Sequence, residues 1–165
     1  MVLNKDIMCK NHQEHIEKAI EMAAENAKTL AGGPFGAIIV KDGQVIGKGA
    51  NQVTTTNDPT AHAEIVAIRD ACKNTNDFRL EGAVIYASCE PCPMCLSAIY
   101  WARISKVYFA AQSNDAAEAG FDDSFIYEEI NLPREKRSIP SEKLNTDIAT
   151  KPFREWIRME QKIEY

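Results

Sequence analysis

Residues 83–111 read AVIYASCEPCPMCLSAIYWARISKVYFAA, and this stretch decides the fold class. The apolar run over residues 83–87 is typical of a buried strand, and residues 106–111 are typical of a second strand. Between them, residues 92–101 predict a helix. A strand, a helix and a strand within about thirty residues form a βαβ unit, whose crossover is right-handed. The middle of the chain is therefore predicted to be an α/β structure.

The sequence before this unit predicts a long helix and a hairpin. Apolar residues at intervals of three and four over residues 14–30 predict a helix with one buried face. That face would comprise Ile16, Ala19, Ile20, Ala23, Ala24, Ala27 and Leu30. Residues 35–46 are largely apolar on both sides of Asp42-Gly43. This pattern predicts two antiparallel strands joined by a tight turn.

Two further helices are predicted, one before the βαβ unit and one at the C-terminus. Residues 61–72 predict a helix with Thr60 as its N-cap. Between residues 113 and 145 the pattern weakens, which indicates loop with a short helix. A capping residue and a first-turn proline then predict a C-terminal helix over about residues 150–165. With 165 residues and no internal repeat, the chain 1–165 is predicted to be a single domain.

The composition argues against several classes of protein. Hydrophobic residues make up 45% of the chain and charged residues 26%, which is typical of a globular protein. The net charge of -5 provides no positive field for phosphates, so nucleic acid is not an expected partner. No apolar run approaches the ~18 residues of a membrane span, and the N-terminus has no secretory signal pattern. The five cysteines are an odd number, so we expect a cytoplasmic protein with reduced thiols.

Two short motifs carry the residues that chemistry would use. His62-Ala63-Glu64 opens one predicted helix, and Cys92-Pro93-Met94-Cys95 opens the next. One imidazole and two thiolates are ligands that Zn²⁺ prefers, and three protein ligands leave the fourth tetrahedral position for water. Glu64 is the available base for that water, although residues two apart do not share a face in a regular helix. We therefore predict a catalytic site with one Zn²⁺ per chain, bound by His62, Cys92 and Cys95.

Other interpretations of the cysteines stay open. The Cys-x-x-Cys pair is also compatible with a redox pair or with half of a structural zinc site, which would recruit Cys9, Cys72 or Cys89. Without such a role, Cys72 and Cys89 are expected to be buried apolar residues. The spacing Cys9-x-x-His12-x-x-His15 suggests a second metal site, but no other histidine lies nearby in the sequence. We expect that segment to be a solvated helix start.

A His-x-Glu motif followed by Pro-Cys-x-x-Cys is the signature of zinc-dependent nucleobase deaminases. With this signature the chain resembles the cytidine deaminase-like (CMP/dCMP deaminase) superfamily and, from about Gly32 to Tyr165, its bacterial guanine deaminases. Residues 118–125 favour the guanine branch. The resemblance implies a three-layer α/β/α sandwich with a five-stranded mixed sheet. It also implies Zn²⁺-dependent hydrolysis of guanine to xanthine and ammonia.

The resemblance further implies roles for single residues. Glu64 would carry a proton from water to the ring and then assist the departure of ammonia. Asn51 would hold the base, Phe35 would stack on it, and Asp123 would accept from its N–H groups or share the proton transfer. Tyr165 would close the pocket of the partner subunit in a homodimer that exchanges C-terminal segments. By residue type alone, Asn51 also fits a turn and Phe35 also fits a core.

Two other functions compete with this interpretation. A tRNA adenosine deaminase would share the metal ligands and Glu64, but it would need a basic rim for phosphates, which the net charge of -5 does not favour. A non-enzymatic, zinc-stabilised binding module would make Glu64 incidental. The sequence leaves open whether guanosine, other aminopurines or triazines are accepted.

Overall fold

A computed structural model describes the backbone of residues 5–165 and the side chains of residues 11–165. The chain divides into a unit that extends to Ser124 and a second unit from Phe125 to Tyr165. The elements of the first unit are α1 (Lys5–Lys28), β1 (Gly36–Lys41), β2 (Gln44–Ala50), α2 (Val53–Thr56), α3 (Ala63–Thr75), β3 (Val84–Cys89), α4 (Pro93–Trp101), β4 (Lys106–Ala111) and α5 (Ser113–Glu118). Helix α6 (Ser124–Asn131) begins at the boundary, and α7 (Lys151–Arg158) lies in the second unit after a 3₁₀ turn (Arg134–Lys136).

The predicted hairpin is confirmed. Strands β1 and β2 pair antiparallel, with Lys41 opposite Gln44. Asp42 and Gly43 form the turn between them with φ angles of 51° and 77°. Positive φ at both turn residues is the geometry of the tight hairpin turns that Asp-Gly favours. The sequence signal at Asp42-Gly43 therefore determines the strand register locally.

The sheet has four strands among the described residues, in the order β2-β1-β3-β4. β1 pairs antiparallel with β3, and β3 pairs parallel with β4 across α4, which confirms the predicted βαβ unit and a mixed sheet. The expectation of five strands is wrong. The chain after β4 turns directly into α5, where Gln112 and Asp115 form reciprocal capping hydrogen bonds. A capping box starts a helix at the place where a fifth strand would have to begin.

Helices cover both faces of the sheet. On one face, Ala19 of α1 packs with Ile38 and Val40 of β1. On the other face, Ala37 and Ile39 of β1 pack with α3 and α4. Alternate residues of a strand point to opposite faces, so β1 serves both clusters and is buried along nearly all of its length. This arrangement explains why β1 is a continuous apolar run.

Two glycines let α3 approach the sheet closely. A Cβ atom built on Gly49 would overlap with the carbonyl oxygen of Ala63 and the amide nitrogen of Ala67 in α3. A Cβ atom on Gly47 would meet Ala71 in the same way. Because β2 carries no side chain at either place, the backbone of α3 lies directly on the strand. The position of α3, and therefore of its first residues, depends on this contact.

The buried face of α1 differs from the predicted one. Asn26 is buried, with 8% of its surface accessible, whereas four residues of the predicted face are exposed: Ile20, Ala24, Ala27 and Leu30. The buried positions of the helix after its middle are Ala19, Ala23 and Asn26, at intervals of four and three. The prediction chose apolar residues and therefore missed a polar one that lies on the buried stripe.

The prediction of a solvated helix start at Cys9, His12 and His15 is wrong for the two histidines. His12 Nδ1 lies 2.6 Å from the hydroxyl of Tyr86, and the ring of His15 lies 5.1 Å from the ring of Tyr86. Both histidines are half-buried against β3. Cys9 lies outside the described side chains. Contacts with a strand more than seventy residues away could not be read from the local sequence.

Two predicted helix boundaries also change. Thr60 is not the N-cap of α3, because its hydroxyl bonds to Asp58 and the cap position belongs to His62. The C-terminal helix does not run close to Tyr165, since Met159 is extended and ends α7 at Arg158. In the part of the chain whose structure is described, we find no helix with both the length and the apolar character to cross a membrane.

Candidate metal centre and active site

The sheet places two helix N-termini side by side. His62 is the N-cap of α3 and Cys92 is the N-cap of α4, and both have extended backbone angles, with ψ of 157° and 167°. Cys95 follows within the first turn of α4 and is fully buried. Helix N-termini favour thiolate over thiol because free N–H groups and the helix dipole stabilise negative charge.

The three side chains have the spacing of ligands to one zinc ion. His62 Nδ1 lies 3.6 Å from the sulfur of Cys92 and 3.6 Å from that of Cys95. A tetrahedral Zn²⁺ with Zn–N near 2.05 Å and Zn–S near 2.3 Å would separate a nitrogen ligand from a sulfur ligand by about 3.6 Å. Among the residues with described side chains, this is the one group of three or more His, Cys, Asp or Glu suited to a metal ion. The donor set therefore fits zinc.

The two thiols have unequal proton affinities. A hydrogen bond from the Cys95 thiol, with a further contribution from His62, lowers the pKa of Cys92 to about 4. The same hydrogen bond to Cys92, together with burial, raises the pKa of Cys95. These opposite shifts favour a thiolate at Cys92 beside a thiol at Cys95. A divalent cation that takes the place of the thiol proton would be bound by two thiolates, which are the metal-binding form of cysteine.

Glu64 lies in the first turn of α3 beside these sulfurs and retains only 8% of its surface. Burial raises its pKa above the usual range, and the negative charge of Cys92 adds to the rise. The extended backbone of His62 removes the objection from their two-residue spacing, because that rule applies only within a regular helix. A buried carboxyl with a raised pKa binds a proton more readily than an exposed one, which suits a group that accepts a proton and then returns it.

A cavity of about 220 Å³ opens onto the metal ligands. Six of the predicted site residues line it: Phe35, Asn51, His62, Glu64, Cys92 and Asp123. Phe121 also lines it, and its ring meets that of Phe35 edge-on with centroids 5.0 Å apart. Sequence analysis assigned no role to Phe121. Its signal was weak, because an aromatic residue in a loop is equally common at a surface.

Asn51 follows β2 and is buried, with 6% of its surface accessible. Its side-chain oxygen accepts hydrogen bonds from the backbone amides of Gly33 and Val53, both at 3.2 Å. None of the hydrogen bonds within the described structure uses its side-chain nitrogen. Asn51 can therefore present an N–H donor to an acceptor in the cavity. The turn interpretation and the binding interpretation of this residue are compatible, since its side-chain oxygen bonds to the backbone of the loop while the residue also lines the cavity.

Asp123 lies at the C-terminal end of the first unit and is half-buried. Burial raises the pKa of its carboxyl, and the charge of Cys92 adds to the rise. Tyr165 belongs to the second unit, and 73% of its surface is exposed. Cys89 is buried at the cavity wall, whereas Cys72 is only half-buried, and none of the four cysteines with described side chains forms a disulfide.

Asn26 was missed by sequence analysis although it adjoins the site. Its side-chain nitrogen donates to the carbonyl oxygen of Gly33 at 2.7 Å and to that of Asn51 at 2.9 Å. The signal that could have found it is a polar residue on the buried stripe of α1, in register with Ala19 and Ala23.

Comparisons with known proteins give a consistent result. Residues 9–111 match the family described as the cytidine and deoxycytidylate deaminase zinc-binding region. The chain is 53% identical to the guanine deaminase of Bacillus subtilis (strain 168) over 155 residues, which are 94% of this chain and 99% of that protein. The X-ray structure of guanine deaminase from Bacillus subtilis superimposes with a TM-score of 0.91 at 52% identity, covering 93% of this chain and 98% of that one. The tRNA-specific adenosine deaminase of Aquifex aeolicus (strain VF5) is 44% identical over 60% of this chain and 66% of its own length.

Proposed function

This chain belongs to the cytidine and deoxycytidylate deaminase zinc-binding family, and from this premise we propose that it hydrolyses guanine to xanthine and ammonia. The observation that carries the proposal is the extent of the similarity to the Bacillus subtilis guanine deaminase, which covers 94% of this chain. That similarity continues past the metal motif into the residues after β4, where substrate-specific contacts would lie. Shared zinc ligands alone would identify only the family.

A zinc ion held by His62, Cys92 and Cys95 would supply Lewis-acid chemistry and a water that ionises near neutral pH. Glu64 accepts the proton of the attacking water and delivers it to a ring nitrogen adjacent to C2. It then takes the second proton of the added water from the hydroxyl on C2 and transfers it to the amino group, so that the bond between C2 and this nitrogen breaks, ammonia leaves and the C2 carbonyl of xanthine remains. The burial that raises the pKa of Glu64 suits both halves of this transfer, since the same group must act as base and as acid.

Other side chains of the cavity hold the base. The side-chain nitrogen of Asn51 donates to an acceptor on the purine, and the carboxyl of Asp123 accepts from its N–H groups or shares the proton transfer. Phe35 stacks on the base, and Phe121 supports the Phe35 ring from its edge. These contacts account for recognition of a small purine base as the substrate.

The competing functions receive less support. The match to the Aquifex aeolicus tRNA-specific adenosine deaminase stops at 60% of this chain, and the net charge of -5 does not favour a phosphate-binding rim. A binding module with a structural zinc would use four protein ligands, whereas three lie together among the residues with described side chains. It would also give no reason for a buried carboxyl with a raised pKa beside the sulfurs.

We also propose that the enzyme is a homodimer that exchanges its C-terminal segments. The proposal is supported by α7, an eight-residue helix whose apolar residues Phe153, Trp156 and Ile157 are exposed. A helix of this length is marginal in water and needs a docking surface. Docking on the partner subunit would bring Tyr165 to the partner's pocket. Thiolate ligands require reducing conditions, so we place the activity in the cytoplasm.

The substrate assignment is tested by measuring ammonia release from guanine, guanosine, adenine, cytosine and cytidine with the zinc-loaded protein. Guanine should have the highest kcat/KM. Faster turnover of cytidine, or of a tRNA stem-loop in a parallel assay, would contradict the assignment. Absence of ammonia from all bases, with one zinc bound per chain, would favour the binding module.

A further inference from the structure

We infer that Asn26 is a positioning residue that holds Asn51 in the orientation needed to bind the base. Asn26 lies on α1 and does not line the cavity, so it acts through other residues. The inference rests on the proposed function, because it assigns to Asn51 the contact with the substrate. It concerns a residue that belongs neither to the zinc motif nor to the cavity wall.

The amide of Asn26 joins two segments that are distant in sequence. Its nitrogen donates one hydrogen bond to the carbonyl oxygen of Gly33 at 2.7 Å and one to that of Asn51 at 2.9 Å. An amide nitrogen carries two hydrogens, so both are used. Because both neighbours are acceptors, the orientation of the amide is determined: the nitrogen must face them and the oxygen must not.

These bonds are part of a closed set around Asn51. The backbone amide of Gly33 donates to the side-chain oxygen of Asn51 at 3.2 Å, while Asn26 holds the carbonyl of the same glycine. Asn26 also holds the backbone carbonyl of Asn51 itself. Asn26 of α1 thus binds the main chain of Asn51 directly and its side chain through Gly33. The side-chain nitrogen of Asn51 takes part in none of these bonds, and Asn51 lines the cavity.

Packing shows that the two segments have little freedom beside Asn26. A Cβ atom on Gly32 would overlap with the carbonyl oxygen of Asn51 and would lie 2.9 Å from the Asn26 side-chain nitrogen. Asn26 itself is buried, with 8% of its surface accessible. Two carbonyl groups brought together in a buried place need a donor, and a residue without one would leave both unpaired. The chain would then relieve the strain by moving Gly33 and Asn51 apart.

The test is a double-mutant cycle. Asn26→Asp keeps the size of the side chain but loses the donor, and Asn26→Ala removes the donor without adding a charge. With Asn51 present, each should lower kcat/KM for guanine about tenfold, mainly by raising KM. In an Asn51→Ala background, the same changes should lower kcat/KM by less than about threefold, because the contact they support is already lost.

Asn74→Asp is the matched control. The side-chain nitrogen of Asn74 donates to the carbonyl of Ile46 at 2.9 Å, which is the same kind of bond between a helix and β2 away from the cavity. This variant should keep the kcat/KM of the parent protein. Equal losses from Asn26→Ala in both backgrounds, or no loss in either, would show that Asn26 only contributes to stability and would overturn the inference.

A second measurement does not depend on guanine turnover. In NMR spectra, the backbone amide signals of Gly33 and Val53, which donate to Asn51, should shift in Asn26→Ala and stay unchanged in Asn74→Asp. Unchanged signals in a folded Asn26→Ala protein would overturn the inference whatever the substrate. If another base of the panel proves to be the substrate, the proposed function is wrong. The double-mutant cycle, measured with that base, then still tests the role of Asn26.

Discussion

The extended backbone of His62 allows His62 and Glu64 to line the same cavity. In a regular helix, residues two apart point in different directions, so His62 and Glu64 could not serve one cavity. His62 is instead the extended residue just before α3, and Glu64 lies in the first turn, so both line the cavity. Cys92 repeats the arrangement at the start of α4. The centre is therefore built by two chain segments at the point where each enters a helix.

The ligand assignment predicts a loss of metal from single variants. Cys92→Ser and His62→Ala should each lose most of the one zinc expected per chain, because a site with only three protein ligands cannot spare one. Metal analysis of the purified proteins by mass spectrometry measures this directly. Cys72→Ser serves as the control, since Cys72 lies outside the ligand group, and it should retain zinc. Full occupancy in both ligand variants would contradict the assignment.

Glu64→Gln separates proton transfer from metal binding. The variant should keep its zinc and its fold and should lower turnover at least ~10²-fold, because an amide of the same shape cannot carry the proton. Steady-state ammonia release, measured alongside zinc content, checks the prediction. Turnover close to that of the parent protein, with zinc bound, would mean that a different group moves the protons.

At the scale of elements, the contact between β2 and α3 sets the position of two site residues. Gly47 and Gly49 bring the helix backbone onto the strand, which positions the N-cap His62 and the first-turn residue Glu64. The strand itself leads into Asn51, which also lines the cavity. One close contact therefore relates His62, the proposed proton carrier Glu64 and the proposed base-binding residue Asn51 to one another.

Gly49→Ala should disturb this arrangement. The added methyl group would overlap with the backbone of α3, so the helix must move away from the strand. We expect a loss of stability of about 1–3 kcal/mol, as is typical of overpacking, together with a lower zinc content. Urea denaturation and metal analysis measure the two effects. Lys48→Ala, at an exposed position of the same strand, should change neither. A Gly49→Ala protein of parental stability and zinc content would show that α3 has room to shift.

The packing of α1 on β3 predicts a pH-dependent stability. Burial lowers the pKa of His15, and the nearby charge of Lys18 lowers it further, whereas Glu14 raises it and His12 lowers it to smaller extents. The side-chain Nδ1 of His15 is buried without a hydrogen-bond partner among the described residues. The folded chain therefore favours neutral His15. Since the unfolded chain binds the proton more readily, this contribution is present above the unfolded pKa of 6.5 and is lost as the pH falls below it.

His15→Gln removes this titration. Between about pH 8 and about pH 5.5, the melting temperature should fall less in His15→Gln than in the parent protein. Loss of zinc at low pH affects both proteins, so the difference between them reports on His15. Thermal unfolding followed by circular dichroism at each pH provides the data. Equal decreases in the two proteins would show that His15 does not contribute.

At the scale of the whole molecule, the predicted site residues divide between the two units of the chain. The predicted metal ligands, Glu64, Asn51 and Asp123 all belong to the unit that ends at Ser124, whereas α7 and Tyr165 belong to the unit from Phe125 onward. The second unit exposes Phe153, Ile157 and Tyr165. A segment that carries apolar residues to the surface in a single chain is suited to contact another chain.

Truncation after Ile148 tests the proposed exchange of C-terminal segments. The truncated protein should form a weaker dimer and lose activity while it keeps zinc, because every predicted ligand lies in the first unit. Sedimentation velocity, ammonia release and metal analysis measure the three properties.

Mixing the truncated protein with Glu64→Gln should restore part of the activity. In a mixed dimer, the intact Glu64 of one subunit can be joined to the intact C-terminus of the other. Activity that stays at the sum of the two variants, although subunit exchange is demonstrated, would show that each chain closes its own site.

The sequence by itself was sufficient for the features that depend on near neighbours. Asp42-Gly43 predicts the hairpin because positive φ at two successive residues is a local property of the chain. The βαβ unit follows from apolar runs of characteristic length. The predicted ligands His62, Cys92 and Cys95 follow from residue types that Zn²⁺ prefers, placed in two short motifs. These predictions need no knowledge of which distant residues meet.

The tertiary structure decided what depends on distant contacts. Four features depend on contacts between residues that are far apart in sequence. They are the number of strands, the burial of Asn26, the contact of His15 with Tyr86 and the pairing of Phe35 with Phe121. A polar residue on an amphipathic helix has the same local pattern whether it faces water or two buried carbonyl groups. Only the folded backbone brings those carbonyls to Asn26, because hydrogen bonds and packing act on distance in space and not on distance along the chain.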